Sequence, residues 1–414
     1  MIKRTLLFAT LLFLVQSSFG QLTLDAEYRP RAELRNGYKN SQAIERESAE
    51  FVISQRSLLG LSFSRNKVTG RLSFQDVRTW GETPSKVDVA TIHLKEAWLE
   101  VSIFEKLQAR IGRQVLKYDN QRILAATNWN QVGTQHDLLL LKYSGSKTKV
   151  HTGLAYNNET ASDDFESLYP LPYYKAMFYA WFHHQFNERL NLSLLAVNDL
   201  NAKPNTSSSY YSRYTYGATI KFSPIENFSI NTTGYLQSGE TPAGADVNAH
   251  MLMLQADLLL TEKSSAFTGF DLFSGDDPNQ QQTTSHIFDR LYGAKHKYMG
   301  YMDYFPVSSA GIFNAYAGAK VNLSEKIQLG TTFHTFTLPH EYTHPANAGQ
   351  YLNKFLGAEM DIVLSYNPYP ELNFQWINGF VKGTETMDFI KGGTHEQLSY
   401  VSVIMLTWKP AFDL

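Results

Sequence analysis

The sequence predicts an all-β fold: a single transmembrane, antiparallel, up-and-down β-barrel of about 18 strands with short periplasmic turns and long extracellular loops. Three observations predict it. Apolar and polar residues alternate with period two along most of the chain, as they do in strands that face two different surroundings. Short and long connections also alternate, without interruption. Finally, no apolar run is long enough to cross a bilayer as a helix.

The beginning of the chain reads as an export signal. Lys3 and Arg4 precede an apolar run over residues 5–15, and Ser18-Phe19-Gly20 is a small-x-small cleavage site. Residues 1–20 are therefore expected to be removed, leaving residues 21–414 as the barrel. The chain has no cysteine, which excludes a lipoprotein anchor, a disulfide framework, a thiolate metal site and a thiol nucleophile. A net charge of −2 argues against a nucleic-acid binder.

The first mature segment sets the pattern. Leu22, Leu24, Ala26, Tyr28, Ala32 and Leu34 alternate with Asp25, Glu27, Arg29, Arg31, Glu33 and Arg35. So many charges on one face suit a solvated face or a watered lumen, not a dry core. A long polar loop to about residue 50 follows, then a strand over 51–64 and a tight turn at Arg65-Asn66-Lys67. A third strand over 68–78 leads through another long loop to a fourth over 92–103, which ends in a tight turn at Phe104-Glu105-Lys106. The next hairpin runs from Leu107 to Tyr143, with Arg113, Lys117, Arg122, Trp129 and Asp137 along its polar connection. Further tight turns fall near 144–149, 187–189, 223–227, 261–265, 324–326 and 367–371. Long connections lie near 158–174, 199–213, 237–247, 274–311, 337–354 and 382–398. Eight tight turns and nine long connections make eighteen strands. Greek-key sandwiches have no reason to alternate so regularly. The last strand, about 399–409, reaches Trp408 and Pro410, and Pro410 is expected to end the pairing.

The catalytic motifs are weak. His340-Glu341-Tyr342-Thr343-His344 matches H-E-x-x-H by letter, but Pro339 and Pro345 bracket it and deny it the helix a zincin needs. His183 and His184 lie on one strand and face opposite sides, so they cannot share a metal. Asp271, Asp276, Asp277 and Asp303 could serve as calcium ligands, but acidic turns are more often solvated loop. No cofactor is expected.

The arginines carry more. Arg29, Arg31, Arg35, Arg56, Arg71 and Arg110 fall on polar faces with Glu27 and Glu33, and are expected to line the pore and set its selectivity. Arg113, Arg122, Trp129 and Asp137, together with Arg78, are expected at the outer mouth. Rings of arginine in a pore favour anions, although the acids could also hold these guanidiniums in structural ladders.

Gly112-Arg113-Gln114, Tyr118, Gln121-Arg122, Trp129 and Asp137 resemble the hallmark hairpin of the alginate-export family of outer-membrane barrels. Phe270-Asp271, Ser274-Gly275-Asp276 and residues 288–305 (FDRLYGAKHKYMGYMDYF) resemble that family's long-loop segment. Gly357-x-Glu359-x-Asp361 is similar to one of its late strands. The resemblance implies an eighteen-stranded barrel whose arginine-rich lumen passes an anionic polysaccharide, with loops narrowing the channel.

The expected function is therefore that of a passive, monomeric porin in the bacterial outer membrane, passing anionic polysaccharide or small anionic solutes. Its other partners would be outer-membrane lipid and the barrel-insertion machinery, with no nucleic acid. The alternatives are a barrel-embedded envelope enzyme and a secreted soluble β-protein.

Overall fold

The computed structural model describes residues 20–39, 49–83, 86, 89, 91–158, 174–203, 209–306, 308–347 and 349–414. The expected leader lies, but for Gly20, outside the described residues.

The described residues form twenty strands, β1 (Gln21–Asn36), β2 (Glu50–Arg65), β3 (Val68–Thr79), β4 (Ile92–Phe104), β5 (Leu107–Gln114), β6 (His136–Ser144), β7 (Thr148–Tyr156), β8 (Ala176–Gln185), β9 (Leu190–Ala202) and β10 (Tyr210–Ile225) among them. The others are β11 (Phe228–Glu240), β12 (Asp246–Thr261), β13 (Ser264–Phe273), β14 (Thr284–Ser285), β15 (Ile312–Asn322), β16 (Ile327–Thr337), β17 (Phe355–Tyr369), β18 (Leu372–Gly383), β19 (Ser399–Trp408) and β20 (Ala411–Asp413). A helix α1 (Glu385–Lys391) sits in the last long connection.

Eighteen of the strands make the wall. Each pairs antiparallel with its sequence neighbour, β13 pairs with β15 across the loop that carries β14, and β19 returns to β1. Closure removes both sheet edges and satisfies every ladder within the wall. The tight turns fall where the sequence places them, as in Arg65↔Val68, which brackets a turn at Asn66, φ 55°. Two loops are shorter than expected. β9 to β12 continue regular pairing as far as Tyr210↔Ala202 and Glu240↔Asp246, leaving only 203–209 and 241–245 as connections.

Pro410 does not end the pairing. It interrupts the β1–β19 ladder, but its carbonyl accepts from Ala26 N at 3.0 Å, and β20 then pairs Ala411↔Asp25 through Asp413↔Thr23. Proline removes one donor and keeps its acceptor, so a strand can resume beyond it.

Side chains alternate as the period-two pattern requires. Leu59, Ile111, Leu154, Leu194, Leu236, Leu254, Phe333 and Ile404 are exposed on the outer surface. The inward rows change character along the strand axis. On β12, Val247, Ala249, Met251 and Met253 are buried in the outer half, while Gln255 and Asp257 line a cavity nearer the periplasmic turn.

Candidate channel lumen

Two long connections fold into the barrel. The β5–β6 loop (115–135) and the β13–β15 loop (274–311) pack on each other and on the inward apolar rows. Leu116, Tyr118, Ile123, Leu124, Phe288, Met299, Met302, Tyr304 and Phe305 are buried with Leu138, Leu140, Met177, Val197 and Val403 of the wall. The loops also join by backbone: Leu124 bridges Tyr292, and Ala294 N donates to Gln121 O at 2.9 Å. The hydrophobic core thus lies inside the outer half of the barrel.

The arginines of β1 and β2 point inward, as expected, and their donors are taken. Arg29 donates to Asn128 O at 2.7 Å, to Asn130 O at 3.1 Å and to Gln131 Oε1 at 2.8 Å. Arg31 donates to Glu33 at 2.6 Å and to Trp129 O at 2.8 Å, and lies over the Trp129 ring. Arg56 bridges Glu27, Asn128 Oδ1 and Gln131 O. Arg29, Arg31, Arg56, Glu27 and Glu33 are all buried. Of the two roles open to these arginines, this arrangement is the structural ladder, extended to the carbonyls of a folded loop. The tip of the β5–β6 loop offers carbonyls with no ladder partner, and guanidiniums satisfy them at about 1.5–3 kcal/mol per charged hydrogen bond.

The remaining arginines are also paired. Arg35 meets Glu33 at 2.8 Å, Arg71 bridges Asp25 and Glu96 at 2.7 and 3.0 Å, and Arg110 meets Glu100 at 2.8 Å while lying over Trp98.

The four residues expected at the outer mouth are placed differently. Arg113 and Asp137 stand on β5 and β6, one position out of phase with inward Gln114 and His136, and pair at 3.1 Å on the outer surface. Arg78 does the same with Asp76 at 2.8 Å. Arg122 is buried at the far wall, 2.6 Å from the fully buried Asp271 and 3.8 Å over the Tyr298 ring. Trp129 is inside the barrel, stacked on His296 at 4.0 Å. The loop folds inward, so residues central to it travel deep, whereas those at its ends continue the strand alternation.

The weaker motifs resolve simply. His340 to His344 lies in non-helical loop. His183 faces the lumen and bonds Ser193 Oγ, while His184 stacks outside on Phe182. Asp271 pairs with Arg122, Asp276 accepts from His286 N, Asp277 from Asn279 N, and Asp303 from Tyr38. Among the described residues no group of acids or histidines converges as a metal site.

Beneath the folded loops lies a cavity of about 1910 Å³. Nine Lys or Arg line it against six Asp; of the arginines expected to line the pore, Arg29 is among the nine, and the others are not. Three of the aspartates are occupied by neutral donors: Asp199 accepts from Tyr292 Oη at 2.7 Å, Asp257 from Asn231 at 2.8 Å, and Asp119 from Trp181 at 3.1 Å. Lys149 on β7, Lys221 on β10, Lys320 on β15 and Lys295 on the β13–β15 loop line it with no ion pair among the described residues. Burial pushes Arg290, on the same loop, down to about 10, which leaves it cationic at neutral pH.

Each of Lys149, Lys221 and Lys320 sits just inside a periplasmic turn. Each alternates with an apolar neighbour, Val150, Phe222 and Val321, and that was the signal in the sequence.

The alginate-export family model matches residues 20–216, just under half of the chain, and so covers the β5–β6 hairpin. Solved outer-membrane barrels share the fold. Pseudomonas aeruginosa opdK is 12% identical with a TM-score of 0.60, aligning 94% of this chain with 99% of its own. Acinetobacter baumannii OccAB4 is 10% identical with a TM-score of 0.63, over 95% and 98% of the two chains. Pseudomonas aeruginosa OccK9 (OpdG) is 11% identical at 0.62, over 94% and 98%. Residues 20–216 are similar to the alginate-export family, and the whole chain shares the barrel fold of these solved structures. No curated protein matches its sequence. The family match ends in β10, so for the second long loop and the late strands the likeness is one of fold.

Proposed function

We propose that this barrel is a passive outer-membrane channel for small anionic solutes, with lumenal lysines rather than the β1–β2 arginines setting its preference. The observation that carries the reading is the cavity beneath the loops, where Lys149, Lys221, Lys295 and Lys320 have no ion pair among the described residues and Asp119, Asp199 and Asp257 are held by neutral donors. A lumen lined by an excess of one sign raises the local concentration of counter-charged solute. An anionic polysaccharide strand is the second reading, favoured by the family match. Two latched loops in the outer half favour the smaller cargo. The barrel fold and the family match both favour transport over catalysis.

The test is the reversal potential of the purified protein in a planar bilayer under a KCl gradient. Wild type is expected to prefer chloride. Combined Lys149→Glu, Lys221→Glu and Lys320→Glu substitutions are expected to invert that preference. A silent or cation-selective wild type overturns the reading.

A further inference from the structure

We propose that the seam between β1 and the β19–β20 pair is a lateral gate, through which the lumenal cavity opens to the hydrocarbon of the bilayer. Its substrate class is an amphiphile, with the polar end kept in the lumen and the chain passed between the strands. This goes beyond passage along the pore axis.

The closed wall satisfies its ladders except at the seam that closes it. Of the fourteen prolines, three stand in strands among the described residues. Pro224 and Pro368 sit one position from a strand end, beside tight turns. Pro30 stands in the middle of β1. Proline in a sheet belongs at edges and bulges, and a closed barrel has no edge to hold it. Ala26 N donates to Pro410 O and Leu414 N to Leu22 O, so the even-numbered residues of β1 turn their backbone groups to the seam. Pro30 is one of them. The register is the same on both sides of the break, Asp25↔Ala411 below and Arg31↔Met405 above, and sets Pro410 opposite Ala26 and Leu406 opposite Pro30. Three successive pairs there, at Ala26, Tyr28 and Pro30, have room for six hydrogen bonds, and the two prolines remove two of them. Pairing with β2, by contrast, is unbroken from Gln21 to Arg35.

Both sides of the seam suit a gate. Met405, next to the deficient pair, is buried and lines the cavity with Arg29 and with Gln375 of β18. On the outer face Tyr28, Ile404 and Trp408 are exposed to the bilayer. The tip of the β5–β6 loop grips one bank: Asn128, Trp129, Asn130 and Gln131 accept from Arg29, Arg31 and Arg56, on β1 and β2. Across the break stands the Glu27–Lys409 ion pair at 3.4 Å, with Lys409 half-exposed. Parting the seam therefore leaves β1, β2 and the plug as one body and β19 with β18 as the other. The competing account is that the prolines guard β1 and β19, free edges until the barrel closes, against pairing with other chains. That role needs neither a cavity behind the break nor a plug held from one bank.

The chain has no cysteine, so single cysteines report cleanly. The full barrel in lipid vesicles carries Met405→Cys, or Val363→Cys as the control. Val363 lines the same cavity from β17, where pairing is continuous on both sides from Ala358 to Tyr366. Each cysteine is labelled with a water-soluble maleimide and, separately, with an alkyl maleimide dissolved in the bilayer. The readout is the ratio of the alkyl rate to the water-soluble rate, which cancels differences in access through the pore. That ratio is expected to be about ten-fold higher for Met405→Cys than for Val363→Cys. Adding Pro30→Val, which restores one donor, is expected to lower the Met405→Cys ratio about three- to ten-fold. Heat-modifiable migration on gels checks that each variant is folded. Equal ratios for the two cysteines, or a Met405→Cys ratio indifferent to Pro30→Val, overturns the gate. Indifference together with aggregation of Pro30→Val during refolding assigns the prolines to edge protection instead.

Discussion

Arg122 shows how a residue expected to be a selectivity filter becomes a structural anchor. Its carboxylate partner Asp271 has no solvent exposure and, among the described residues, otherwise accepts a side-chain hydrogen bond only from Asn314, at 3.5 Å. Removing one member of a buried pair costs about 3–5 kcal/mol because the other is left uncompensated. Arg122→Ala is therefore expected to loosen both loops, seen as added current noise and a lower unfolding temperature. The reversal potential should stay where it was. Adding Asp271→Asn is expected to restore part of the stability, since the stranded charge goes. A reversal potential that moves with Arg122→Ala would return this residue to the selectivity machinery. Lys149, by contrast, has no ion-pair partner among the described residues, so reversing its charge is expected to move selectivity and leave stability nearly unchanged.

At the scale of the element, the β13–β15 loop is held at the wall by a backbone latch. Glu359 accepts from Met302 N at 2.8 Å, Asp361 from Tyr301 N at 3.3 Å, and Lys39 N donates to Met302 O at 3.1 Å. Gly300, at φ 81°, allows the approach, because a Cβ there would lie 2.3 Å from the Glu359 carboxyl. Gly300→Ala is expected to release the latch and raise the frequency of large current fluctuations. Gly244→Ala is the control: at φ 87° it carries similar backbone strain, of about 1–2 kcal/mol, but nothing lies within 4 Å to collide with. Equal behaviour of the two variants would refute the latch. The strands were legible because period two and turn chemistry are local properties. The latch and the plug were less so, because their contacts join residues about a hundred positions apart, as between Arg29 and Gln131. A trace of the plug was nonetheless present in Leu138, Leu140, Met251 and Met253, apolar residues on rows that a fully watered pore would keep polar. The arginines misled because β1 displays them densely, and density on a strand says nothing about whether a loop returns to claim their donors.

At the scale of the whole molecule, two surfaces must be matched to two solvents, and the wall is one residue thick. Leu254, midway along β12, is 40% exposed on the outer face, while Gln328 on β16 faces the watered cavity. The bilayer reading predicts that Leu254→Arg costs about 2–4 kcal/mol, since arginine at the hydrocarbon midplane has no water to solvate it. Gln328→Arg, placed in the lumen, is expected to cost less than about 0.5 kcal/mol and to strengthen chloride preference slightly. Urea-driven reversible folding into lipid vesicles measures both. A soluble β-protein would show the opposite ordering of sensitivity to detergent: it would be monodisperse without any, and Leu254→Arg would be tolerated as an ordinary surface change. If Leu254→Arg proves neutral in vesicles, the outer face is not lipid-facing, and the lumenal lysines lose the closed pore their selectivity requires.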